Sequence, residues 1–241
     1  MALAAAARPH ALAADPRLIV ALDIASRAEA EALVDRLGDS VSFYKVGLQL
    51  LAVGGMESAR ELKRRGCKVF LDWKLHDIGA TVEKATAAIA AAGAGDFITV
   101  HGEPQVLAAA VKGRGDAPLK ILGVTVLTSL TTEDLAEIGY EATVEQLVER
   151  RVRQVLEAGA DGVIVSPREA ALARRIGGPD LLVVTPGVRP AGAALDDQAR
   201  AASPAHTLGQ GASHIVCGRP ITAAADPRAA ALAIAEEMAA A

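Results

Sequence analysis

Short apolar segments recur along the chain, and each is followed by polar residues and then by a helical pattern. The eight segments are Arg17–Leu22, Val41–Val46, Lys68–Leu71, Phe97–Val100, Lys120–Val126, Gly162–Val165, Leu181–Val184 and His214–Cys217. Most of their residues are apolar without strict alternation, which is typical of parallel strands covered on both faces. Eight strand–helix units in about 225 residues favour an α/β fold, a single closed (β/α)8 TIM barrel, over an open doubly wound sheet.

Helices are predicted between these strands, and no segment has the composition of a linker between domains. The clearest helices cover Arg27–Leu37 and Val144–Ala158, whereas Thr131–Ala142 is expected to be a polar excursion. With 51% hydrophobic and 22% charged residues, the chain can bury a large core. We therefore predict one barrel domain over residues 15–241, preceded by a flexible tail over residues 1–14 that lacks the basic start of an export signal.

Charge and cysteine content exclude several classes of partner. The net charge of −4 gives no general attraction to nucleic acid or to an anionic membrane surface. No apolar run reaches the roughly 18 residues of a membrane span. The two cysteines, Cys67 and Cys217, lack metal or redox spacing, and reduced thiols are typical of cytosolic proteins. We therefore expect a cytoplasmic protein without nucleic-acid or membrane partners.

The strongest functional signal is a group of charges after the third strand. Asp72, Lys74 and His76 follow the apolar Val69–Leu71 at every second position, so in an extended chain they project to one side. Asp77 comes next, where the chain turns towards a helix. Because buried charges cost several kcal/mol unless they are paired, alternating signs suggest a functional charge cluster. The competing interpretation is an ion-pair ladder on the surface, with Asp77 as a helix cap.

The other strands also end in polar residues. In a (β/α)8 barrel the carboxyl ends of all strands meet at one mouth, where active sites lie. The residues delivered to this mouth are Asp23, Lys45, Asp72, Lys74, Asp77, His101, Thr128, Ser129, Ser166, Arg189, Gly218 and Arg219. His101 is equally compatible with a structural role, and Ser166 before Pro167 is expected to cap a helix. Polar groups at nearly every strand end predict a site at the mouth.

Two of these strand ends suit a phosphate group. They are Thr185–Arg189 and Cys217–Thr222, which follow the seventh and eighth strands, where barrels often bind phosphate. Gly218 allows close backbone approach, Arg219 offers a bidentate fork, and Pro220 suits the first turn of a short helix whose N–H groups face an anion. The alternative is that the glycines only make tight turns and the arginines are solvated.

Several common catalytic arrangements are missing from the sequence. No Ser–His–Asp arrangement or Cys–His pair stands out, and the five histidines lack the spacing of metal ligands. No Gly-x-Gly-x-x-Gly follows the first strand, which argues against a bound dinucleotide. The sequence therefore predicts neither a metal nor a cofactor.

Six segments spread over nearly the whole chain carry a resemblance to a known family. They are Ile19–Asp23, Tyr44–Gly47, Asp72–Thr81, Val124–Leu130, Val184–Arg189 and Val216–Thr222. The Asp-x-Lys-x-His-Asp block together with Thr-Pro-Gly-Val-Arg is highly specific. On these motifs the chain resembles the orotidine 5′-phosphate decarboxylase family. The resemblance implies a homodimeric barrel that converts orotidine 5′-monophosphate (OMP) to UMP and CO2 in de novo pyrimidine biosynthesis, without metal or cofactor.

The resemblance also implies roles for individual residues. Lys74 would donate a proton to C6 of the pyrimidine, and Asp72 would lie near the substrate carboxylate. Asp77 of the partner subunit would complete a charge network with Lys45. The remaining substrate contacts would be Asp23 and Lys45 at the ribose with Thr81 of the partner subunit, Thr128 and Ser129 at the pyrimidine, Arg189, Gln198 and Arg219 at the phosphate, and a lid over Pro190–Arg200. One departure is Gly79-Ala80, where the family usually has Pro followed by Asn or Thr, a change that would loosen the turn before Thr81.

Two other functions fit parts of the sequence. Related sugar-phosphate barrels, the 3-keto-L-gulonate 6-phosphate decarboxylase and hexulose-phosphate synthase group, share an Asp-x-Lys-x-x-Asp core but bind Mg2+, typically with a Glu after the second strand. Lys45 stands near that place, and a charged ammonium has no lone pair for a metal. A non-catalytic nucleotide-binding barrel would keep the phosphate site, but it would gain nothing from two carboxylates near an anionic substrate.

Overall fold

The computed structural model describes residues 14–190 and 202–240, which form a closed barrel of eight parallel strands. The strands are β1 Leu18–Ala21, β2 Phe43–Val46, β3 Lys68–Leu75, β4 Phe97–His101, β5 Lys120–Val124, β6 Gly162–Ile164, β7 Leu182–Pro186 and β8 His214–Cys217. The helices are α1 Arg27–Leu37, α2 Leu48–Leu51, α3 Gly55–Arg64, α4 Gly79–Ala92, α5 Pro104–Arg114, α6 Thr132–Ile138, α7 Val144–Glu157, α8 Ala170–Gly177, α9 Pro204–Gly209, α10 Arg219–Thr222 and α11 Pro227–Ala239, and a 3-10 turn covers Gly38–Ser40. Each strand pairs with the next, and β8 pairs with β1. The predicted (β/α)8 barrel is confirmed.

Some sequence predictions concern residues outside those described. The predicted tail over residues 1–14 lies outside them except for Ala14, and the predicted lid Pro190–Arg200 lies outside them except for Pro190. Both stay predictions. Within the described part of the chain, no helix combines the length and the apolar character needed to cross a membrane.

Apolar side chains form two layers, one on each side of the strands. One layer packs between the strands and the helices and consists mainly of Val, Leu, Ile and Ala. The other fills the centre of the barrel with residues from all eight strands: Ile19, Ala21, Phe43, Phe70, Phe97, Leu122, Val124, Ile164, Val184 and Val216. All three phenylalanines of the chain lie in this centre, and the rings of Phe43 and Phe97 meet edge to face with centroids 5.0 Å apart. The scarce aromatic volume therefore fills the interior of the barrel, where large side chains are needed.

Successive residues of a strand face opposite sides of the sheet, so the inward set continues at every second position. Phe70 is followed by Asp72, Phe43 by Lys45, and Ala21 by Asp23. The inward face therefore changes from apolar to charged at the carboxyl ends of the strands.

The opposite end of the barrel, its base, is closed by carboxylates that precede the strands. Asp96, just before β4, accepts the backbone N–H of Val69 at 2.7 Å and pairs with Lys63 at 2.8 Å. Asp161, just before β6, likewise accepts the N–H of Ile121 at 2.9 Å. These bonds tie the starts of β3 and β5 to the loop before the next strand. The base therefore contributes stability rather than chemistry, as is usual for this face of the fold.

Three helices of the structure were not predicted, namely α2, α6 and α9. The stretch Thr131–Ala142, expected to be a polar excursion, contains α6. Thr131 accepts the backbone N–H of Asp134, whose carboxylate accepts the N–H of Thr131, which is a capping box. Among the residues of α6, only Leu135 is buried, so the helix depends on its cap and lacks the apolar stripe that marks most helices.

Candidate active site

A cavity of about 490 Å3 opens at the carboxyl ends of the strands. Its lower wall is apolar and includes Phe70, Val124, Ile164 and Val216. Nine of the residues predicted for the site line it: Asp23, Lys45, Asp72, Lys74, Thr128, Ser129, Arg189, Gly218 and Arg219. The cavity therefore brings charged groups from several strand ends together over an apolar floor, which is the usual construction of a small-molecule site.

Four of these side chains form a row of alternating charge. The ammonium of Lys45 lies 3.0 Å from Asp23 Oδ1 and 3.3 Å from Asp72 Oδ2. The ammonium of Lys74 lies 2.9 Å from Asp72 Oδ1. Asp72 therefore stands between two lysines, and Lys45 stands between two carboxylates. The predicted charge cluster is internal to the cavity and is not an ion-pair ladder on the outer surface.

Lys45 and Asp72, in the middle of the row, stay charged because the opposite charges beside them outweigh the cost of their burial. Burial disfavours the ammonium of Lys45, but the charges of Asp72 and Asp23 outweigh it and raise its pKa above the ordinary value. Burial likewise disfavours the carboxylate of Asp72, but Lys45 and Lys74 outweigh it and lower its pKa. The stabilising effect of Lys45 is lost only as the pH rises through its raised pKa. That of Asp72 is lost only as the pH falls through its lowered pKa.

The backbone around Lys74 departs from a regular strand. Strand β3 runs to Leu75, four residues beyond the predicted end at Leu71, and its register with β4 shifts between these two residues. Lys74 has φ of 49°, and among the described residues it is the only non-glycine with positive φ. Such a conformation costs about 1–3 kcal/mol and recurs at functional sites.

Thr99 holds this segment in place and was missed by sequence reasoning. Its Oγ1 accepts the backbone N–H of Lys74 at 3.0 Å and donates to Asp72 Oδ1 at 3.0 Å. Thr99 is fully buried on β4. The available signal was its place two residues after Phe97, on the inward face of the strand. The prediction took its candidates from the ends of the strands and therefore named His101 instead.

His76 and His101 lie outside the cavity lining. Their rings stack with centroids 4.4 Å apart, and both face the carboxylate of Glu103. The expectation that His76 projects to the same side as Asp72 and Lys74 is therefore wrong, because the left-handed backbone of Lys74 breaks the extended pattern. Burial lowers the pKa of His101 more than the charge of Glu103 raises it.

Asp77 and Thr81 are exposed and lie outside the cavity lining of their own chain. Asp77 accepts the N–H of Ile78 at 2.7 Å, but the helix α4 begins at Gly79 with Ile78 as its N-cap and no side-chain cap. The interpretation of Asp77 as a helix cap is therefore wrong. Ile78 beside it is 72% exposed, a large apolar side chain turned to the surface.

Arg189 and Arg219 lie at the part of the cavity formed after β7 and β8. Arg189 is buried, its Nη1 donates to the carbonyl of Val188 at 3.0 Å, and its Nε has no hydrogen-bond partner among the described residues. Arg219 begins the short helix α10, with Pro220 in its first turn as the sequence predicted. Gln198 lies outside the described residues.

Ser166 does not cap a helix. The predicted helix from Ser166 begins later, at Ala170, with Glu169 as its N-cap. Ser166 is fully buried, donates from its hydroxyl to the Glu169 carboxylate, and accepts the N–H of Glu169 at its backbone carbonyl. It therefore closes the turn that precedes α8.

Comparison with known proteins agrees with this site. A family model described as Orotidine 5'-phosphate decarboxylase / HUMPS family matches residues 16–234. The chain is similar to the orotidine 5'-phosphate decarboxylase of Caulobacter sp. (strain K31), with 64% identity covering 95% of this chain and 99% of the other. It is 54% identical to that of Rhodopseudomonas palustris (strain BisB5), covering 94% and 97%.

A solved structure is also similar. The crystal structure of orotidine 5'-phosphate decarboxylase from Lactobacillus acidophilus matches with a TM-score of 0.81 and 36% identity, covering 93% of this chain and 99% of the other. The chain therefore belongs to the orotidine 5'-phosphate decarboxylase / HUMPS family.

Proposed function

We propose that this member of the family decarboxylates OMP to UMP and CO2 in pyrimidine biosynthesis, with Lys74 as the donor of the proton to C6. One observation carries the assignment: the ammonium of Lys74 is held 2.9 Å from Asp72 inside the cavity. The family and its close relatives support the reaction. The roles of the individual residues are those that the family resemblance implies, and the cavity supports them by bringing nine of the predicted site residues together.

The reaction needs negative charge to be stabilised at one ring carbon. The bond between C6 and the carboxylate carbon breaks, CO2 leaves, and the electron pair stays on C6. That carbon has no neighbouring group that can accept the pair. A fixed ammonium at C6 stabilises the developing charge, and then its N–H bond breaks as the C6–H bond forms. Lys74 is left as a neutral amine, which takes a proton back from water.

Asp72 contributes in two ways. It holds the ammonium of Lys74 in place, with Thr99 fixing the carboxylate from below. It also places a fixed negative charge near the substrate carboxylate, and this repulsion is relieved as CO2 departs. Only interactions that improve towards the transition state speed the chemical step. Asp72 is therefore assigned to rate rather than to affinity.

The other lining residues hold the rest of the nucleotide. Asp23 and Lys45 lie together and offer an acceptor and a donor to the ribose hydroxyls. Thr128 and Ser129 border the pyrimidine. The phosphate is assigned to Gly218, Arg189 and Arg219, with Gln198 added from outside the described residues. Binding energy from this remote phosphate is available to order the charged row around the substrate.

We further propose a homodimer in which Asp77 and Thr81 act in the site of the partner subunit. Both are exposed, lie outside the cavity of their own chain, and flank the exposed Ile78, as expected of residues at an interface. A cytoplasmic location is part of the proposal, since both Cys67 and Cys217 are free thiols.

Mixing two inactive variants tests the shared site. Lys74→Ala and Asp77→Ala chains, each alone, should be nearly inactive. In a mixed dimer one of the two sites receives both native residues, so statistical exchange should restore roughly a quarter of the wild-type activity. No recovery after verified subunit exchange would place Asp77 in the site of its own chain.

Two alternatives predict different results in one assay. The family model covers HUMPS proteins as well, but at the end of β2 the buried Lys45 holds two carboxylates and leaves no room for a cation there. The assay follows the loss of OMP absorbance on mixing with purified protein in EDTA. Rapid conversion to UMP is expected. Activity only on a sugar phosphate with added Mg2+ would favour the rival enzyme group, and UMP binding without conversion would favour a non-catalytic barrel.

A further inference from the structure

Two histidines and a carboxylate meet beside the catalytic segment without taking part in the proposed reaction. His76 follows β3, His101 ends β4, and Glu103 precedes α5. One ring nitrogen of each histidine and one carboxylate oxygen of Glu103 all lie within 4.8 Å of one another. The sequence spacing of these residues gave no sign of a metal site, because the fold brings together residues from two strand ends.

Hydrogen bonding does not explain this arrangement. His76 Nε2 lies 3.8 Å from Glu103 Oε2, and His101 Nδ1 lies 3.9 Å from the same atom. Both distances exceed those of hydrogen bonds. Glu103 Oε2 is buried and has no hydrogen-bond partner among the described residues. A buried carboxylate oxygen without a partner is costly, and it therefore points to a missing positive group.

We propose that His76, His101 and Glu103 bind a divalent transition-metal ion of the Zn2+ type. Two ligands on a tetrahedral Zn2+ stand about 3.4 Å apart, given metal–ligand bonds of about 2.1 Å. Side-chain rotations that unstack the two rings would bring the three donors to that spacing and place the ion in the plane of each ring. One nitrogen of each ring already lies close to the same carboxylate oxygen, at 3.8 and 3.9 Å.

The surroundings supply the other requirements of such a site. Arg151 is buried, and its Nη2 donates to Glu103 Oε1 at 2.8 Å, which fixes the carboxylate and turns Oε2 to the histidines. Groups behind the ligands commonly orient metal sites in this way. The side chain of His76 is 55% exposed on the single chain, which leaves space for a water as the fourth ligand of the ion.

The donor set selects among cations. Imidazole nitrogen suits Zn2+, Co2+ and Ni2+, whereas Mg2+ prefers oxygen ligands. The site is therefore distinct from the Mg2+ site of the related sugar-phosphate barrels. It is also separate from the charged row of the cavity, for which the proposed reaction uses no metal.

Direct binding tests the proposal without any dependence on turnover. The full chain is stripped with EDTA, freed of chelator and dialysed against Zn2+, and bound zinc is measured by elemental analysis. One equivalent per chain is expected, unaffected by excess Mg2+. Glu103→Gln and His101→Ala should weaken binding at least about tenfold, in line with the loss of a ligand. His206→Ala, which removes an exposed histidine on α9, should bind like the wild type.

Cobalt identifies the ligands. Bound Co2+ should give the visible bands of nitrogen and oxygen coordination, and Glu103→Gln should lose them while its circular dichroism remains that of the wild type. Less than stoichiometric binding, equal binding by all variants, or an intense sulfur-to-cobalt band from Cys67 would each overturn the proposal.

Discussion

Both ends of the barrel hold half-buried or buried carboxylates, but they satisfy them differently. At the base, Asp161 accepts the N–H of Ile121 and pairs with Lys120 at 2.9 Å and with Arg114. At the mouth, Asp72 receives no backbone N–H among the described residues, and its partners are two lysine ammoniums and the Thr99 hydroxyl.

The difference separates structural from functional charge. A carboxylate that accepts a backbone N–H locks the main chain and has little freedom to interact with anything else. A carboxylate held by lysine ammoniums leaves those ammoniums turned to a cavity. The barrel therefore uses the same residue type to tie strands at one end and to arrange a reaction at the other.

The largest effect is expected for Asp72→Asn at the mouth. Turnover of OMP should fall at least about a thousandfold, because both the position of Lys74 and the repulsion on the substrate carboxylate are lost. The thermal midpoint should fall less than that of Asp161→Ala, since Lys45 keeps Asp23 and the Lys74 side chain is 28% exposed to water. Steady-state kinetics and calorimetry on one preparation measure the turnover and the thermal midpoint. A loss of stability with normal turnover would assign Asp72 to the fold.

Asp161→Ala at the base should show the opposite behaviour. The free energy of unfolding should fall by about 2–4 kcal/mol, because the N–H of Ile121 and the guanidinium of Arg114 lose their partner. The kcat should stay within a factor of two or so of the wild type, as expected of a change at the stability face of a barrel. Asp116→Ala, which removes an exposed carboxylate from the loop before β5, is the control and should change neither quantity. A tenfold drop in kcat would break the division between the two ends.

His214 makes the base sensitive to acid. It packs edge to face against Phe43 and Phe97, and burial lowers its pKa to about 4. The unfolded chain takes up a proton near pH 6.5 and the folded chain does not, so stability should fall as the pH drops from 6.5 to 4, by up to roughly 3 kcal/mol. His214→Phe should flatten this part of the curve in urea titrations at several pH values. A variant as acid-sensitive as the wild type would place the sensitive group elsewhere.

The smallest effect is expected for Gly47→Ala. A Cβ at this position would lie 2.4 Å from Asp23 Oδ1 and 2.9 Å from the ammonium of Lys45, so the pair must shift. Because both atoms end flexible side chains, we expect about a tenfold loss of kcat/KM, near 1.4 kcal/mol. Gly66→Ala is the control: an added methyl would meet no atom within 4 Å, but φ is +79°, so it should cost stability and leave kcat/KM unchanged. An unaffected kcat/KM for Gly47→Ala would show that the Asp23–Lys45 contact is not needed.

The sequence predicted the architecture well because strand order in a parallel barrel follows from the repeated units themselves. It also identified most residues that line the cavity, since strand ends meet at one mouth. The left-handed backbone conformation of Lys74 could not be predicted from the sequence, because the register shift between β3 and β4 depends on packing between strands. The contact of His76 with His101 depends on that same shift and was therefore missed.

Two other features were not predicted, although the sequence contains a pattern that indicates each of them. Thr99 lies two positions after Phe97 on the inward face, and a search of inward positions rather than strand ends would have found it. The cap of α6, Thr131 followed by Asp134, was likewise present in the sequence. The pairing of Glu103 with Arg151 joins residues 48 positions apart and needed the fold.

The most direct test of the division between the two ends is Lys74→Ala. Its turnover of OMP should fall at least about a thousandfold, through loss of both the proton donor and the cation at C6. UMP should still bind, because Arg189 and Arg219 at the phosphate end are untouched. Lys112→Ala, which removes an exposed lysine paired with Glu83, should keep full activity. Turnover within tenfold of the wild type would contradict the assignment and remove Lys74 from the role of proton donor.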